Sequence, residues 1–144
     1  MYICAFKYQM YALKDCKHQE AIPGQQQSMS NIINYKTMAN FEHSKKINFK
    51  TDIEYAANSI VSKRVLEKPT GNISLFAFDK EQQLSEHTAP FDAMIQVVEG
   101  LATIIIAGEN FSIKEGETII MPANIPHAVF AKEKFKMLLT MIKA

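Results

Sequence analysis

From residue 59 onward the chain consists of short apolar runs separated by turn residues. Runs 59–67 and 73–78 flank segment 68–72, whose Pro69 and Gly71 favour a chain reversal. Six further runs follow at similar spacing, at 93–98, 101–107, 110–113, 118–121, 128–131 and 135–142. Runs this short, without a helical pattern of useful length between them, predict about eight β-strands. The expected fold class is all-β, an antiparallel double-sheet sandwich or barrel.

The last of these runs is apolar on both of its faces. Two sets of positions alternate along it: Phe135, Met137, Leu139 and Met141, and Lys136, Leu138, Thr140 and Ile142. One face fits the interior between two packed sheets, and the other suits contact with a second subunit. We therefore expect a homodimer.

The first forty residues differ in composition from the rest of the chain. Segment 19–34 is rich in Gln and Ser and has few large apolar residues before Ile32, which is typical of a linker or tail. We expect residues 1–40 to form an N-terminal extension with little regular structure, and residues 41–144 to form the barrel domain. Near the start of that domain, Thr51 is a candidate N-cap, which predicts one or two helical turns over residues 51–58.

Composition and charge limit the possible partners. The chain has 144 residues, of which 47% are hydrophobic and 22% charged, which suits one domain with a substantial core. The formal net charge is only +1, so there is no excess of positive charge to bind a phosphate backbone or an anionic membrane surface. No apolar run approaches the roughly 20 residues of a membrane-spanning helix. We expect neither nucleic acid nor a membrane as partner.

Both cysteines, Cys4 and Cys16, lie in the predicted extension. They cannot supply a disulfide framework, and together with His18 they lack the paired C-x-x-C spacing of a zinc site. The first residues also lack the order of charged, apolar and small residues found in a secretory signal. The expected location is the cytoplasm.

Two of the four histidines stand beside turn residues in the strand-rich region. His87 precedes a Thr-Ala-Pro segment, and His127 directly follows Pro126, whereas His18 and His43 have polar surroundings. The chain has no G-x-S-x-G elbow, no Gly-rich phosphate loop and no G-x-G-x-x-G fingerprint. His87 and His127 are therefore the candidate functional residues.

The spacing around these histidines resembles the two motifs of the cupin superfamily. The first motif, G-x5-H-x-H-x(3,4)-E-x6-G, places its leading histidine at His87 and its closing glycine at Gly100. The second motif, G-x5-P-x-G-x2-H-x3-N, matches at Gly116, Pro122 and His127. The resemblance covers about residues 59–142 and implies a small single-domain cupin with a jelly-roll barrel.

Other positions depart from these motifs. The second histidine and the glutamate of the cupin metal site fall on Ala89 and Ala93, and the terminal asparagine falls on Ala131. The opening glycine is Glu81, and Asn124 replaces the glycine of the second motif, at a position where asparagine tolerates positive φ. Of the four cupin metal ligands, the two histidines remain.

The resemblance implies a divalent transition metal, Fe, Mn, Ni, Zn or Cu, held by His87 and His127, with water, substrate or a carboxylate completing the shell. Asp92 lies one residue before the lost glutamate position, and Glu86 adjoins His87. If Ala93 points into the barrel, alternation points Asp92 away from it, and a similar objection applies to Glu86. We therefore expect both carboxylates to be solvated.

An apolar pocket is expected around the two histidines. Its expected lining is Phe91, Met94, Val97, Ile105, Met121 and Met137. Flexible methionine side chains suit irregular apolar interiors, so this pocket favours a small, mainly apolar or aromatic ligand.

Two functions of different classes remain open at this point. One is a cupin that uses a metal for oxygenase, isomerase or lyase chemistry on a small molecule, or that uses one imidazole as a general base without metal. The other is a non-catalytic cupin that binds a ligand or serves as a dimeric structural module with a degenerate metal site. The alanines at positions 89 and 93 favour the second and the two imidazoles favour the first, so the sequence leaves open whether the protein is an enzyme.

Overall fold

The computed structural model describes residues 37–38 and 41–143, which form ten β-strands and no helix. The strands are β1 (Thr37–Met38), β2 (Ile60–Lys68), β3 (Gly71–Phe78), β4 (Gln83–His87), β5 (Asp92–Glu99), β6 (Leu101–Ile106), β7 (Glu109–Lys114), β8 (Thr118–Met121), β9 (His127–Phe130) and β10 (Phe135–Ile142). The predicted all-β class is confirmed.

The strands form two sheets. One has six strands in the order β1-β2-β3-β10-β5-β8, and the other has four strands in the order β4-β9-β6-β7. Every pairing is antiparallel except that of β1 with β2. Because the chain passes repeatedly between the two sheets, this is the jelly-roll arrangement expected from the sequence.

The main core lies between the inner faces of the two sheets. Phe135 and Met137 of β10 are fully buried, and the ring of Phe135 stacks on that of Phe78 with 4.6 Å between centroids. The four-stranded sheet contributes Ile104 and Val129 to the same cluster. Alternate residues of each strand thus fill the space between the sheets.

Segment 41–58 covers part of the outer face of the six-stranded sheet. Its Ile53 is 1% exposed and packs in a second cluster with Leu75, Ala77 and Leu138. Leu138 belongs to the second apolar face of β10, which the sequence suggested for a subunit contact. The protein's own chain covers that face at Leu138, whereas Ile142 at its end is 66% exposed.

Residues 51–58 contain no helix, so the predicted helical turns are wrong. The amides of Thr51 and Asp52 donate to the Asn48 carbonyl at 3.1 and 2.9 Å, and the Asp52 carboxylate accepts the Asn48 amide at 2.7 Å. These bonds close a single turn. A helix of this length is marginal by itself, and burial of Ile53 against the sheet favours an irregular path instead.

Two strands were not predicted. β4 contains one apolar residue, Leu84, and exists because it pairs with β9, where Gln83 lies opposite Phe130 and His87 opposite His127. β1 is two residues long and pairs with β2. Such strands depend on their partners in the fold more than on their own sequence.

Apart from β1, the predicted extension at 1–40 lies outside the described residues, as do Cys4, Cys16 and His18. The proposed boundary at residue 41 stays a prediction. Among the described residues, no helix is long and apolar enough to cross a membrane.

Candidate functional site

The two candidate histidines form a pair on the inner face of the four-stranded sheet. His87 ends β4, His127 begins β9, and the two lie opposite each other in the strand pairing. Their ring centroids are 4.5 Å apart, with 63° between the ring planes. His127 is 3% exposed and shares its face of β9 with the core residue Val129, whereas His87 is half-buried.

Backbone carbonyl groups orient both imidazole rings. Nδ1 of His87 lies 2.8 Å from the Ser85 oxygen, and Nδ1 of His127 lies 2.8 Å from the Ile125 oxygen. A carbonyl oxygen only accepts, so each Nδ1 carries the proton and donates it. In the neutral ring, Nε2 is then the unprotonated nitrogen.

The surroundings of His127 favour its neutral form. Burial is the largest influence and lowers the pKa of His127; the hydrogen bond to Ile125 raises the pKa, and the nearby His87 lowers it again. The net shift is downward from an ordinary value near 6.5. At pH 7 the ring is therefore neutral, with Nε2 as a hydrogen-bond acceptor or metal ligand.

Two short connections meet at the histidine end of the barrel. Residues 88–91 lead from β4 to β5, and residues 122–126 lead from β8 to β9. The Asn124 amide donates to the Ala89 carbonyl at 2.7 Å, and the Ala123 amide donates to Asp92 Oδ1 at 2.9 Å. Asn124 has a φ of 61°, so it adopts the conformation of the motif glycine that it replaces. We call this end, defined by His87, Ala93, Met121 and His127, the barrel mouth.

Ala93 stands where the cupin motif has its glutamate. It is 3% exposed, and in the strand register Met121 lies on one side of it and Met141 on the other. Met141 is in turn paired with Asn72 of β3. This inward-facing row offers two thioethers and an amide, but no carboxylate.

Neither candidate carboxylate joins the histidines. Asp92 is exposed and accepts the Ala123 amide, as alternation from the inward Ala93 predicts. Glu86 is exposed on β4, next to His87. Across residues 37–38 and 41–143, no group of three or more His, Cys, Asp or Glu side chains is placed to hold a metal ion.

The donor set at the mouth therefore does not fit a metal centre built from protein ligands alone. Catalytic metal sites generally take three ligands from the protein and leave one position open. The mouth supplies the Nε2 atoms of His87 and His127. An Fe, Mn, Ni, Zn or Cu ion there would depend on water or the ligand for the rest of its shell.

Three of the six expected pocket residues face the interior. Val97 and Met137 are fully buried in the main core, and Met121 is 3% exposed at the mouth. Neighbouring side chains pack around Val97 and Met137 in the core. That these three residues contact a ligand stays a prediction.

Met94 and Ile105 correct the predicted pocket. Met94 is 36% exposed on the outer face of the six-stranded sheet, one residue from the inward Ala93. Ile105 lies on the outer face of the four-stranded sheet, next to the inward Ile104. Both expectations are wrong because a one-residue offset in a strand reverses the face of the side chain.

Phe91 precedes β5 and is half-buried outside the main core, with Lys143 Nζ 5.8 Å from its ring centroid. A surface hollow of about 260 Å³ lies away from the mouth. It is lined by Phe41, Glu42, Lys45, Lys46, Ile47, Asp52 and Lys63.

Polar residues on the inner face of β2 and β3 were not among the predicted site residues. Asn72 is 6% exposed and Ser74 is 7% exposed, and both share the face of the core residue Phe78. Arg64 of β2 is paired with Ser74. The turn predicted at 68–72 included Asn72. Counting back from Phe78 in steps of two residues would have placed Asn72 on the inner face of the same strand.

Comparison with known proteins gives a family match. The family profile described as "Cupin domain" matches residues 74–143. A conserved protein of unknown function from Streptococcus pyogenes is 36% identical with a TM-score of 0.70, and the match covers 79% of this chain and 98% of that one. A search of curated proteins found no match.

Two further solved structures extend this comparison. A cupin 2 conserved barrel domain protein from Leptotrichia buccalis is 41% identical with a TM-score of 0.61, over 63% of this chain and 44% of that one. A salicylate 1,2-dioxygenase from Pseudaminobacter salicylatoxidans is 16% identical with a TM-score of 0.55, over 60% and 27% of the two chains. At that identity the likeness concerns the fold alone.

Proposed function

This chain belongs to the cupin family, and from that premise we propose that it binds a small, largely apolar molecule at the barrel mouth, with His87 and His127 as polar anchors. The observation that carries the proposal is the shared orientation of the two rings. Each Nδ1 is hydrogen-bonded to a backbone carbonyl, so in each ring Nε2 is the nitrogen that would contact a ligand.

The histidines and the methionines of the mouth make different contacts with the ligand. Each imidazole accepts a hydrogen bond at Nε2 from a hydroxyl or N–H group of the ligand. Met121 and Met141, on either side of Ala93, supply adaptable apolar contact. Because burial keeps His127 neutral at pH 7, its Nε2 is available as a hydrogen-bond acceptor.

A metal-dependent function is the second candidate, and one observation favours it. Histidines that bind metal ions usually donate their other ring N–H to a carbonyl or carboxylate oxygen, as both rings do here. Oxygenase, isomerase or lyase chemistry belongs to this candidate. Because the described residues supply two imidazole ligands and no third one, we assign no reaction step to a metal.

The proposal also includes the state of the protein in the cell. We propose a homodimer, supported by exposed Met94, Ile120 and Ile142 on the outer face of the six-stranded sheet. The cytoplasmic location rests on the small number of cysteines.

The test compares ligand binding and metal content in the same samples. Benzamide and benzyl alcohol serve as probes, each with a ring and one group able to donate to Nε2. The imidazole NMR signals of His87 and His127 should shift saturably as probe is added. The His87→Ala, His127→Ala double variant should lose binding by at least about tenfold, which corresponds to about 1.4 kcal/mol.

His43→Ala is the matched control, because His43 is exposed outside the barrel and its replacement should leave probe binding unchanged. Elemental analysis of the tag-free protein, purified without chelators, decides between the two candidates. Near-stoichiometric metal that is lost only in the double variant supports the metal-dependent candidate. Equal probe binding in the wild type and the double variant overturns the proposed function.

A further inference from the structure

The only arginine of the chain lies on the inner face of the barrel. Lysine and arginine together number 16, and Arg64 is the single arginine among them. On β2 it shares its face with the core residue Ile60 and pairs with the buried Ser74. The neighbouring Lys63 points outward, where its Nζ lies 4.2 Å from the centroid of the Phe41 ring. Alternation therefore directs Arg64 inward.

Arg64 begins a line of polar residues that leads to the mouth. We call Arg64, Ser74 and Asn72 the polar strip. The Ser74 hydroxyl donates to Oδ1 of Asn72 at 3.4 Å, and both side chains are more than nine-tenths buried. Asn72 is paired with Met141, which lies beside Ala93, so the strip ends in the row that forms the mouth.

Among the residues that the structure describes, the Arg64 guanidinium has one acidic neighbour, Glu67. The Arg64 side chain is 27% exposed, and its Nε lies 4.0 Å from Oε2 of Glu67. That separation is too long for a hydrogen bond, and the Glu67 side chain is 64% exposed. Among the described residues no buried side-chain nitrogen lacks a hydrogen-bond partner, so the donors of Arg64 that remain unbonded are accessible to water. A partly accessible guanidinium on the inner face of the barrel can exchange that water for two oxygens of a ligand, which is the geometry that its five donors favour.

We propose that the polar strip binds the carboxylate group of a small organic acid, whose apolar body extends toward His87 and His127; this rests on the proposed function of the mouth. Arginine binds a carboxylate through two parallel N–H bonds, a geometry that lysine cannot provide. The Asn72 amide nitrogen supplies further donors, and the Ser74 hydroxyl, which donates to Asn72 Oδ1, orients that amide. A phosphate group carries up to two negative charges, whereas the strip offers one cation, so a carboxylate is the better match.

The experiment uses benzoate and its neutral isostere benzamide. Because Arg64 is the only arginine, its Nε–Hε group gives one NMR cross-peak that needs no further assignment. Benzoate should shift this peak saturably and bind at least about tenfold more tightly than benzamide, consistent with a charge-assisted pair. Arg64→Gln should remove that preference, and Arg64→Lys should restore only part of it, because the charge returns without the two parallel bonds.

Lys68→Gln is the matched control, since Lys68 lies exposed at the end of the same strand and its loss should change benzoate binding less than about twofold. Each variant is first checked for cooperative unfolding. Equal binding of benzoate and benzamide, with both lost in the histidine double variant, overturns the carboxylate inference and leaves the proposed function standing. Tighter binding of inorganic phosphate than of benzoate also overturns it. If neither probe binds the wild type, both proposals fail.

Discussion

Four motif positions keep a glycine-like backbone although only two of them are glycine. Glu81 and Asn124 have φ values of 63° and 61°, and Gly100 and Gly116 both have 84°. The turns of the cupin motifs are thus retained at all four positions. At Glu81 a non-glycine residue occupies a conformation that costs L-residues about 1–2 kcal/mol.

Gly100 and Gly116 share a backbone conformation but differ in their surroundings. A Cβ at Gly100 would lie 2.6 Å from the Lys134 carbonyl oxygen, whereas at Gly116 it would meet nothing within 4 Å. We expect Gly116→Ala to lower the free energy of unfolding by about 1 kcal/mol, from the backbone conformation alone. Gly100→Ala should cost about 3 kcal/mol, because the backbone of β10 must also move.

Urea denaturation of the two variants beside the wild type measures this difference. Gly116→Ala is the control for Gly100→Ala, since only the steric contact distinguishes them. Equal losses of stability would show that the approach of Lys134 to Gly100 is easily relieved.

At the residue scale, the spacing of the motif positions indicated which residues to examine. Spacing relative to Gly100, Gly116 and Pro122 selected His87 and His127, and the structure places these two opposite each other, while their roles at the site stay a prediction. The prediction failed for side-chain direction at Met94 and Ile105, because both faces of these two strands carry apolar residues and hydrophobicity alone does not show which face points inward.

Among the elements, segment 41–58 contacts the six-stranded sheet through a polar network as well as through the packing of Ile53. Lys136 on the outer face of β10 donates to the Lys50 carbonyl and to Glu99 Oε2, the latter at 3.3 Å. Tyr55 donates to Glu99 Oε1 at 2.7 Å, and its ring centroid lies 4.7 Å from Lys136 Nζ. Burial, followed by the bond to Glu99, raises the pKa of the Tyr55 phenol, so the hydroxyl stays a donor.

Removing Lys136 should therefore loosen this segment. The Lys136 side chain is only 7% exposed, and Lys136→Ala leaves Glu99 and the Lys50 carbonyl without their cation. We expect a loss of about 3 kcal/mol in the free energy of unfolding. Cleavage within 41–58 by a protease should also become faster in native buffer.

The neighbouring Lys132 provides the comparison, because it is exposed and its replacement by alanine should change stability by less than about 0.5 kcal/mol. If Lys136→Ala proves as mild as Lys132→Ala, apolar packing around Ile53 attaches the segment without help from the network.

The strands that could be predicted are those with an apolar run in the sequence. The eight strands with apolar runs were identified from the sequence, and all eight exist near their expected bounds. β4 has too few apolar residues, and residues 51–58 have helix-compatible composition but pack Ile53 against the sheet. In both cases a partner elsewhere in the fold decides the conformation, and no local pattern carries that information.

For the whole molecule, the open question is what covers the exposed part of the six-stranded sheet. Ile120 is 63% exposed on β8, the edge strand of this sheet, and Met94 lies beside it in the register at 36% exposure. Ile142 at the end of β10 adds a third apolar side chain. Clustered apolar residues next to an open strand edge are typical of a subunit contact.

We expect the wild-type protein to sediment at twice the mass of the chain at micromolar concentration, through this surface. Ile120→Glu should give a monomer, because a second copy would then bury two carboxylates near the symmetry axis without partners. Leu101→Glu is the matched control, since Leu101 is 41% exposed but belongs to the four-stranded sheet, and it should stay dimeric. If Leu101→Glu dissociates the dimer instead, the subunit contact lies on the four-stranded sheet. A monomeric wild type would refute the homodimer. Because the barrel mouth is built from strands of a single chain, a monomer would still be expected to bind the probe molecules.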